Sequence, residues 1–239
     1  MLLLDLTLPT AEANLALDEA LLDEAEAAGR PRECLRLWEP AAPLIVIGRS
    51  SLLEQEANEA ACCERGVPIL RRTSGGAAIV AGPGCLMYGV VLSLEFRPQL
   101  RAIDEAHRFV LGKLAEAIRP LAPHAERRGT SDLALGDRKF SGNSLRVRRE
   151  HLLYHGTLLY DFPLELIGAC LRTPPRQPEY RGGRSHLDFV MNLPVDAASL
   201  RRALIAAWGA DEPLVDWPRT LTERLVAERY SVREWNYRR

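Results

Sequence analysis

The feature that most constrains the fold is a pair of extended segments joined by a short charged turn. Residues 139–146 and His151–Leu159 both have the composition of strands, and the Arg-Arg-Glu stretch at 148–150 favours a turn between them. This pattern predicts an antiparallel hairpin. Residues 85–94 are an almost unbroken apolar run, which predicts another long strand.

The remaining elements alternate between strands and helices. Shorter strands are predicted at residues 34–38, 44–47, 67–72, 77–80 and 133–135. Helices are predicted between Thr10 and Gly29 and at residues 54–65, 103–118, 163–171, 198–208 and 221–230, whereas residues 173–186 are rich in Pro, Gly and Arg and predict a loop. Strands interrupted by helices, with hairpins, predict an α+β fold with a mostly antiparallel sheet.

Composition excludes several classes of protein. The chain has 239 residues, of which 47% are hydrophobic and 26% charged, as in a globular enzyme of one large or two small domains. The formal net charge of −1 argues against nucleic-acid binding, which requires a basic face. The five cysteines have neither a C-x-x-C pair nor a histidine at metal-binding spacing, so we expect reduced thiols, no metal site and a cytoplasmic protein. No apolar run approaches the ~18 residues of a membrane span.

Lysine is nearly absent from the chain. Of 31 basic residues, only Lys113 and Lys139 are lysines. Lysine is a compact point charge, whereas arginine is a planar fork that stays charged, so a retained lysine is a candidate for work that arginine cannot do. Lys113 lies in an amphipathic helix pattern, but Lys139 lies among small and polar residues, as at a ligand site. Composition drift is the alternative explanation for both.

A glycine-rich turn follows an arginine pair at residues 71–76, Arg-Arg-Thr-Ser-Gly-Gly. Glycines let backbone N–H groups approach an anion closely, and arginine adds a bidentate charged fork, which suits a phosphate or an acyl phosphate. The Gly-Lys-Ser/Thr ending of a Walker loop is missing. A plain hairpin turn with surface arginines is the alternative.

The strand around Lys139 has a polar face. Strict alternation in a strand puts Lys139, Ser141 and Asn143 on one side and Phe140 on the other. Gly142 leaves room for a ligand against the backbone, and Asp132 on the preceding strand could orient the ammonium or help to hold a metal. An ammonium on such a face can bind a carboxylate and a phosphoryl oxygen together, as carboxylate activation requires.

Other candidate residues have structural alternatives. His155 lies in an apolar strand and is either an acid–base group or a hydrogen-bonded structural residue. Trp38 is expected in the core by default, and Cys85 and Cys170 lie in apolar segments, where inert buried thiols are the default.

Taken together and in order, these segments resemble the lipoate–protein ligase A family, part of a group that includes biotin–protein ligases and octanoyltransferases. The combination of Arg-Arg-x-Ser-Gly-Gly, Lys-x-Ser-Gly and His-Gly-Thr-Leu-Leu at this spacing is specific. The matching segments span nearly the whole chain, at residues 14–19, 37–39, 45–49, 71–78, 132–133, 137–143, 155–159 and 234–237. The resemblance implies a biotin/lipoate ligase catalytic fold, which is class II synthetase-like. It also implies a single catalytic domain over residues 1–239 without the C-terminal accessory domain of many ligases.

The resemblance further implies a two-step reaction. Lipoate attacks the α-phosphorus of ATP to give lipoyl-AMP and pyrophosphate, and a lysine of a lipoyl-domain acceptor then takes the acyl group. The acceptor would be of the 2-oxoacid dehydrogenase E2 or glycine-cleavage H-protein type, and Mg²⁺ would accompany the ATP. Lys139 would bind the lipoyl carbonyl and the phosphate, and Trp38 would wall the acyl tunnel. The other implied binding residues are Arg72, Ser74, Gly75, Gly76, Ala77, Ala78, Ile79, Val80, Asp132, Ser141, Gly142, His155, Gly156 and Thr157.

The chain departs from the family pattern, and alternatives follow. Ala77 replaces a usual glycine, Ser131 replaces a usual asparagine, and residues 81–85 lack the usual polar turn. One alternative is an octanoyl or lipoyl transferase that uses a cysteine thioester and no ATP, for which a cysteine such as Cys170 must lie beside Lys139. Another is the binding subunit of a split ligase with a separate accessory protein.

Overall fold

The computed structural model describes residues 1–238. The strands are β1 (Leu2–Asp5), β2 (Cys34–Trp38), β3 (Leu44–Ile47), β4 (Ile69–Arg71), β5 (Ile79–Ala81), β6 (Cys85–Ser93), β7 (Ala125–Arg128), β8 (Asp132–Leu135), β9 (Arg138–Val147), β10 (His151–Leu159) and β11 (Glu212–Pro213). The helices are α1 (Ala11–Ala27), α2 (Leu53–Glu56), α3 (Glu59–Glu64), α4 (Ile103–Ile118), α5 (Glu165–Cys170), α6 (His186–Phe189), α7 (Ala197–Trp208), α8 (Arg219–Leu225) and α9 (Arg233–Asn236). Tighter turns of 3₁₀ helix lie at Pro98–Arg101 and Glu179–Arg181, and a π-helical turn lies at Val226–Tyr230.

Eight strands form one mixed sheet in the order β11-β1-β2-β6-β10-β9-β8-β7. The β11–β1 and β1–β2 pairs are parallel, and all the others are antiparallel. The predicted hairpin is confirmed, because β9 and β10 pair from Val147↔Leu152 to Asn143↔Gly156 around the charged turn. The predicted α+β class with a mostly antiparallel sheet is therefore confirmed.

Helices cover both faces of this sheet. Successive side chains of a strand point to opposite faces, and β6 divides its residues in this way between two cores. Tyr88 and Val90 pack with α4 and α7, whereas Met87 and Val91 lie on the α1 side. All nine residues of β6 are buried, which accounts for its continuous apolar sequence.

A smaller sheet with strand order β4-β3-β5 carries the glycine-rich turn. Its central strand β3 is parallel to β4 and antiparallel to β5, and all four of its residues are buried. The turn that follows the arginine pair connects β4 with β5. The small sheet therefore holds both ends of the predicted anion-binding turn.

The helix predicted over residues 54–65 is wrong as a single element. Ala57 has extended backbone (φ −117°, ψ 147°) and forms an isolated antiparallel bridge with Leu171, which ends α2. Asn58 then begins α3, and its side chain accepts a hydrogen bond from the Ala61 amide. The helix predicted at 221–230 is α-helical only to Leu225, and a π-helical turn follows it. Strand β7 was not predicted.

Gly156 is required by the close approach of β9. A Cβ added at this position would lie 1.9 Å from Asn143 Oδ1. We expect Gly156→Ala to lower the free energy of unfolding by about 3 kcal/mol, because an overpacked core cannot relax around the methyl group. Urea unfolding followed by circular dichroism measures this change.

Gly112 is the matched control for this prediction. It lies inside α4, and a Cβ there would meet nothing within 4 Å. Gly112→Ala should raise the free energy of unfolding by about 0.5–1 kcal/mol through helix propensity. Equal effects of the two substitutions would contradict the packing account.

Candidate functional site

A cavity of about 900 Å³ is lined by the glycine-rich turn, by β9 and β10, and by residues 174–178 with Arg181. Its size is that of a site for a small molecule or cofactor. Its apolar lining comes from Leu15, Val46, Val80, Met87, Leu159, Ile167, Leu171, Phe189 and Val190. Most of the predicted site residues also line it, namely Arg72, Gly75, Gly76, Ala77, Ala78, Ile79, Val80, Asp132, Lys139, Ser141, Gly142, His155, Gly156 and Thr157.

Two of the predicted site residues do not line the cavity. Trp38 is fully buried in the core cluster that contains Val46 and Met87, and the Arg36 guanidinium stacks over its ring at 5.0 Å. Trp38 therefore packs behind the apolar lining and does not form the surface of the cavity. Ser74 is likewise buried beneath the turn.

Lys139 forms an ion pair with Asp132 at the cavity. Lys139 Nζ lies 2.6 Å from Asp132 Oδ1, and the side chains are 27% and 8% exposed. The other carboxylate oxygen of Asp132 accepts a hydrogen bond from the Tyr180 hydroxyl at 2.9 Å. Asp132 thus orients the Lys139 ammonium and is itself held by Tyr180. Part of the Lys139 side chain still faces the cavity.

The strand around Lys139 does not alternate strictly. The prediction that Lys139 shares one side of the strand with Ser141 and Asn143 is therefore wrong. Leu133 pairs with Ser141, but Ala134 pairs with Lys139, so Phe140 has no partner of its own in the ladder. Phe140 is buried in the core on the α4 side. The irregularity lets Lys139 Nζ fold over Gly142, where an added Cβ would lie 3.1 Å from the nitrogen. The space over Gly142, predicted to be free for a ligand, is therefore shared with the ammonium.

Arg72 holds the shape of the glycine-rich turn. Its guanidinium donates to the carbonyl oxygens of Gly75, Ala77 and Val46 and to Ser74 Oγ. Burial lowers the pKa of Arg72 to about 10, against the opposing effect of Glu56, so it stays charged at neutral pH. Most of its donors are used by the protein, which indicates a bracing role in addition to the predicted contact with a ligand.

The turn is also tied to its neighbours. Gly75 O accepts a hydrogen bond from Ser144 Oγ of β9 at 2.7 Å. Gly76 has a φ of +84°, and its carbonyl oxygen would lie 1.9 Å from a Cβ added at Gly48. Glycine is required at both positions, since one adopts a left-handed conformation and the other allows close backbone contact. The turn is consequently fixed against β9 on one side and the 48–51 loop on the other.

His155 belongs to a buried chain of polar groups. Its Nδ1 lies 3.2 Å from Asp18 Oδ2, and its Nε2 lies 2.6 Å from Ser74 Oγ. Asp18 also accepts a hydrogen bond from Arg36. Both ring nitrogens of His155 have protein partners, so the geometry matches the structural role considered for it. This chain connects α1 to the glycine-rich turn.

Several residues of the site were missed in the sequence. Asp18 and Arg36 lie in apolar helix and strand patterns, and Tyr180 and Arg181 lie in the segment interpreted only as a loop. Arg71 was predicted as one of the arginine pair, but it is buried and donates to carbonyl oxygens of the 48–51 loop and of Trp235 and Arg238, which the sequence did not indicate. A buried arginine inside an otherwise apolar strand is a sequence signal that could have identified Arg36.

The cysteines are not among the residues that line the cavity with Lys139. Cys170 is fully buried at the end of α5, and its carbonyl oxygen accepts a contact from Cys62 Sγ at 3.8 Å. Burial, reinforced by Cys170, raises the pKa of Cys62 to about 12, and burial raises the pKa of Cys85 further. Among residues 1–238, no cysteine lines the cavity.

Residues 1–238 contain neither a cluster of metal ligands nor a membrane-spanning helix. Within residues 1–238, no group of three or more His, Cys, Asp or Glu side chains is arranged to hold a metal ion. None of the helices in that part of the chain has the length and apolar character needed to cross a membrane.

The lowered pKa of the buried Asp18 predicts that the stability of the fold depends on pH. Burial alone would raise the pKa of Asp18, but Arg36 and His155 outweigh it and hold the pKa below 3.8. A depressed pKa stabilises the fold above pH 3.8, and this stability is lost as the pH falls through the folded-state pKa. Asp18→Asn should therefore cost about 2–4 kcal/mol of unfolding free energy at pH 7 and clearly less at pH 3.

Urea unfolding at several pH values between 7 and 3 checks this prediction. Asp23→Asn is the control, because its ion pair with Arg148 is partly exposed and should contribute less than about 1 kcal/mol. If the unfolding free energies of Asp18→Asn and of the unmodified chain differ by the same amount at every pH in this range, the lowered pKa of Asp18 is contradicted.

Comparison with known proteins identifies the family. Residues 10–203 match the model of the lipoyl protein ligase A/B catalytic domain. A putative lipoate-protein ligase A of Schizosaccharomyces pombe is 31% identical over 82% of this chain and 51% of that protein. An octanoyltransferase LipM of Kyrpidia tusciae is 29% identical over 96% of each chain. The chain thus spans about half the length of the first curated ligase and nearly all of the transferase.

Solved structures share the fold. A bi-partite lipoate protein ligase from Thermoplasma acidophilum, studied with its E2 lipoyl domain, has a TM-score of 0.83 at 23% identity over 99% of this chain and 95% of that one. A lipoate-protein ligase A bound with ATP has a TM-score of 0.77 at 24% identity over 99% and 98% of the two chains. With a family model that matches most of its length, this chain belongs to the lipoyl protein ligase A/B catalytic-domain family.

Proposed function

We propose that this chain activates lipoate with ATP to form lipoyl-AMP and then transfers the lipoyl group to a lysine of a lipoyl-domain protein. The observation that carries the proposal is the Lys139 ammonium, held by Asp132 at a cavity with both an apolar lining and a glycine-rich turn. A carboxylate on an apolar chain and a phosphate each find a matching surface there.

The first step joins two anions. A carboxylate oxygen of lipoate attacks the α-phosphorus of ATP, the bond to the bridging oxygen of the β-phosphate breaks, and pyrophosphate leaves with the electron pair. The Lys139 ammonium lowers the repulsion between the carboxylate and the phosphate, and it stabilises charge that builds on both as they join. Because Asp132 orients the ammonium, little reorganisation is needed during the reaction.

The second step transfers the acyl group. The unprotonated amine of the acceptor lysine attacks the carbonyl carbon of lipoyl-AMP, and the bond to the phosphate oxygen then breaks. AMP leaves as the anion, the nitrogen loses its proton to solvent, and an amide remains. The same ammonium can stabilise the oxygen on which negative charge develops.

The apolar lining accounts for an acyl substrate. The side chains of Val46, Met87, Ile167 and Phe189 line the cavity together with other apolar residues. Each buried methylene of an acyl chain contributes about 0.8 kcal/mol. A short fatty acyl chain with one terminal charge is the ligand class that best matches this lining.

The nucleotide is proposed to lie along the glycine-rich turn and β5. Gly75, Gly76 and Ala78 line the cavity there, with backbone that bound phosphates can approach. Mg²⁺ would enter as part of the MgATP substrate, held mainly by phosphate oxygens. Asp132 is the carboxylate beside the ammonium that could assist it.

The proposed partners follow from the family. The acceptor is a lipoyl domain of the dehydrogenase E2 or H-protein type, and a separate accessory protein is proposed because the Thermoplasma ligase is bi-partite. The chain is proposed to act as a single catalytic domain. Its five free thiols suit a reducing compartment such as the cytoplasm.

An octanoyl or lipoyl transferase is the second candidate. The observation that favours it is the octanoyltransferase relative, which matches over 96% of both chains. Such an enzyme, as considered above, needs a cysteine beside Lys139, and the burial of Cys170 argues against that role. An intact-mass assay separates the two candidates: a lipoyl domain should gain a lipoyl group only when lipoate and ATP are both present. Transfer from an octanoyl carrier without ATP would favour the transferase.

Lys139→Arg tests the role of the ammonium. The substitution keeps the charge, but the planar fork cannot reproduce the compact ammonium that is paired with Asp132, so we expect lipoyl-AMP formation to fall by at least about 100-fold. Pyrophosphate release measures it. Lys113→Arg is the control: Lys113 stacks over Trp208 at 5.2 Å, arginine preserves that contact, and activity and stability (within about 0.5 kcal/mol) should be unchanged. Normal turnover by Lys139→Arg would refute the role.

Cys170→Ala tests the thioester alternative. Because Cys170 is fully buried and does not line the cavity, its removal should leave ATP-dependent acyl transfer within about twofold of normal, at a stability cost of about 1 kcal/mol. The intact-mass assay and a urea titration measure both effects. Complete loss of transfer by a folded variant would instead support a cysteine acyl intermediate.

A further inference from the structure

Arg181 is a buried cation without a matching anion. It ends the 3₁₀ turn Glu179–Arg181, lines the cavity and is only 3% exposed. Its Nε donates to Arg184 O at 3.0 Å, but its Nη2 has no hydrogen-bond partner within residues 1–238. A buried guanidinium with unused donors is costly unless an anion satisfies it.

The nearby carboxylates are already engaged. Asp132 pairs with Lys139 and accepts a hydrogen bond from Tyr180, the residue before Arg181. Asp137 pairs with Arg184 at 2.8 Å. Arg181 and Arg184 both stack on Phe189, at 5.0 and 5.4 Å, so two guanidinium groups share one ring. Burial lowers the pKa of Arg181 and Arg184 lowers it further, while Asp132 opposes both effects.

The hydrogen bonds of Arg181 differ from those of the arginine pair Arg71 and Arg72. Arg71 and Arg72 donate mainly to backbone carbonyl oxygens, and those contacts shape the loops around the cavity. Arg181 makes no such set of contacts, although it is equally buried. Arg181 directly follows Tyr180 in the sequence, and the Tyr180 hydroxyl donates to Asp132, the partner of the Lys139 ammonium.

We propose that Arg181 binds phosphate oxygens in the cavity, and specifically the pyrophosphate part of ATP that leaves in the first step. The ligand class is a polyphosphate, because the planar fork of arginine suits paired phosphate oxygens and the Lys139 ammonium supplies a second positive charge in the lining of the same cavity. This inference deepens the proposed function and rests on it for the identity of the nucleotide.

Titration of the purified chain with magnesium pyrophosphate, followed by calorimetry, tests the site without lipoate. Arg181→Gln should weaken binding by about 10- to 100-fold, the effect of losing a charged hydrogen bond. Arg149→Gln removes an equally charged but exposed residue of the β9–β10 turn, and it should leave binding within about twofold.

Thermal unfolding separates ligand binding from a structural role. Since Arg181 is incompletely paired in the protein alone, Arg181→Gln should lower the melting temperature by no more than about 3 °C. The unmodified chain, but not the variant, should be stabilised by added pyrophosphate. Arg184→Gln serves as a second comparison, because Arg184 is occupied by Asp137 and should affect binding less than Arg181 does.

The outcomes separate this inference from the proposed function. If the unmodified chain makes lipoyl-AMP and Arg181→Gln binds pyrophosphate and MgATP as tightly as before, the phosphate role is overturned while adenylation stands. If pyrophosphate binds through Arg181 but lipoate and ATP yield no lipoyl-AMP even with the accessory protein added, the phosphate site stands and adenylation falls. Failure of the unmodified chain to bind pyrophosphate at millimolar concentration would also overturn the inference.

Discussion

The ion pair between Lys139 and Asp132 determines where charge can be stabilised in the cavity. It depends on the irregular register of β8 and β9, since strict pairing would direct Lys139 away from Gly142. Asp132 is held in turn by Tyr180 on the 174–181 segment. One ammonium thereby connects the sheet, the segment that closes one side of the cavity and the proposed reaction. Its compact shape matters as well as its charge, because a point charge can approach a carboxylate and a phosphate together.

The buried arginines have different structural roles. Arg36 balances the buried carboxylate of Asp18, whereas Arg71 and Arg72 satisfy backbone carbonyl oxygens around the cavity. Arginine suits this structural use because its five donors lie in a rigid fork and it stays charged when buried. Arg71 also holds the segment near residue 236, because its backbone amide donates a hydrogen bond to the Asn236 side chain. The C-terminal segment is thus joined to the strand that leads into the glycine-rich turn.

The sequence predicted the hairpin, the long apolar strand and the first helix well, because each has a local signal. Charged turn residues separate β9 from β10, continuous apolar residues form β6, and Thr10 caps α1 through a hydrogen bond from the Ala13 amide. The break between α2 and α3 has no comparable signal, because it depends on a bridge to Leu171, more than 100 residues later.

The same distinction applies to the site. Lys139 and the glycine-rich turn could be found because residue type and spacing identify them, and the comparisons confirm the family they indicate. The hydrogen-bond partners of Arg72 and the unused donors of Arg181 could not be found, because they depend on where carbonyl oxygens and carboxylates lie after folding. Trp38 shows the opposite error: the family likeness suggested the wall of the cavity, but packing puts the indole one layer behind it.

Because the chain has only two lysines, nuclear magnetic resonance can observe the central ammonium directly. The protein would be made with lysine labelled with carbon-13 at the ε-methylene, and the Lys113→Arg variant would assign the two signals. Addition of a non-hydrolysable lipoyl-adenylate analogue should shift the Lys139 signal and leave the Lys113 signal in place. An unmoved Lys139 signal, with the analogue shown by calorimetry to be bound, would contradict the central claim that this ammonium contacts the acyl phosphate.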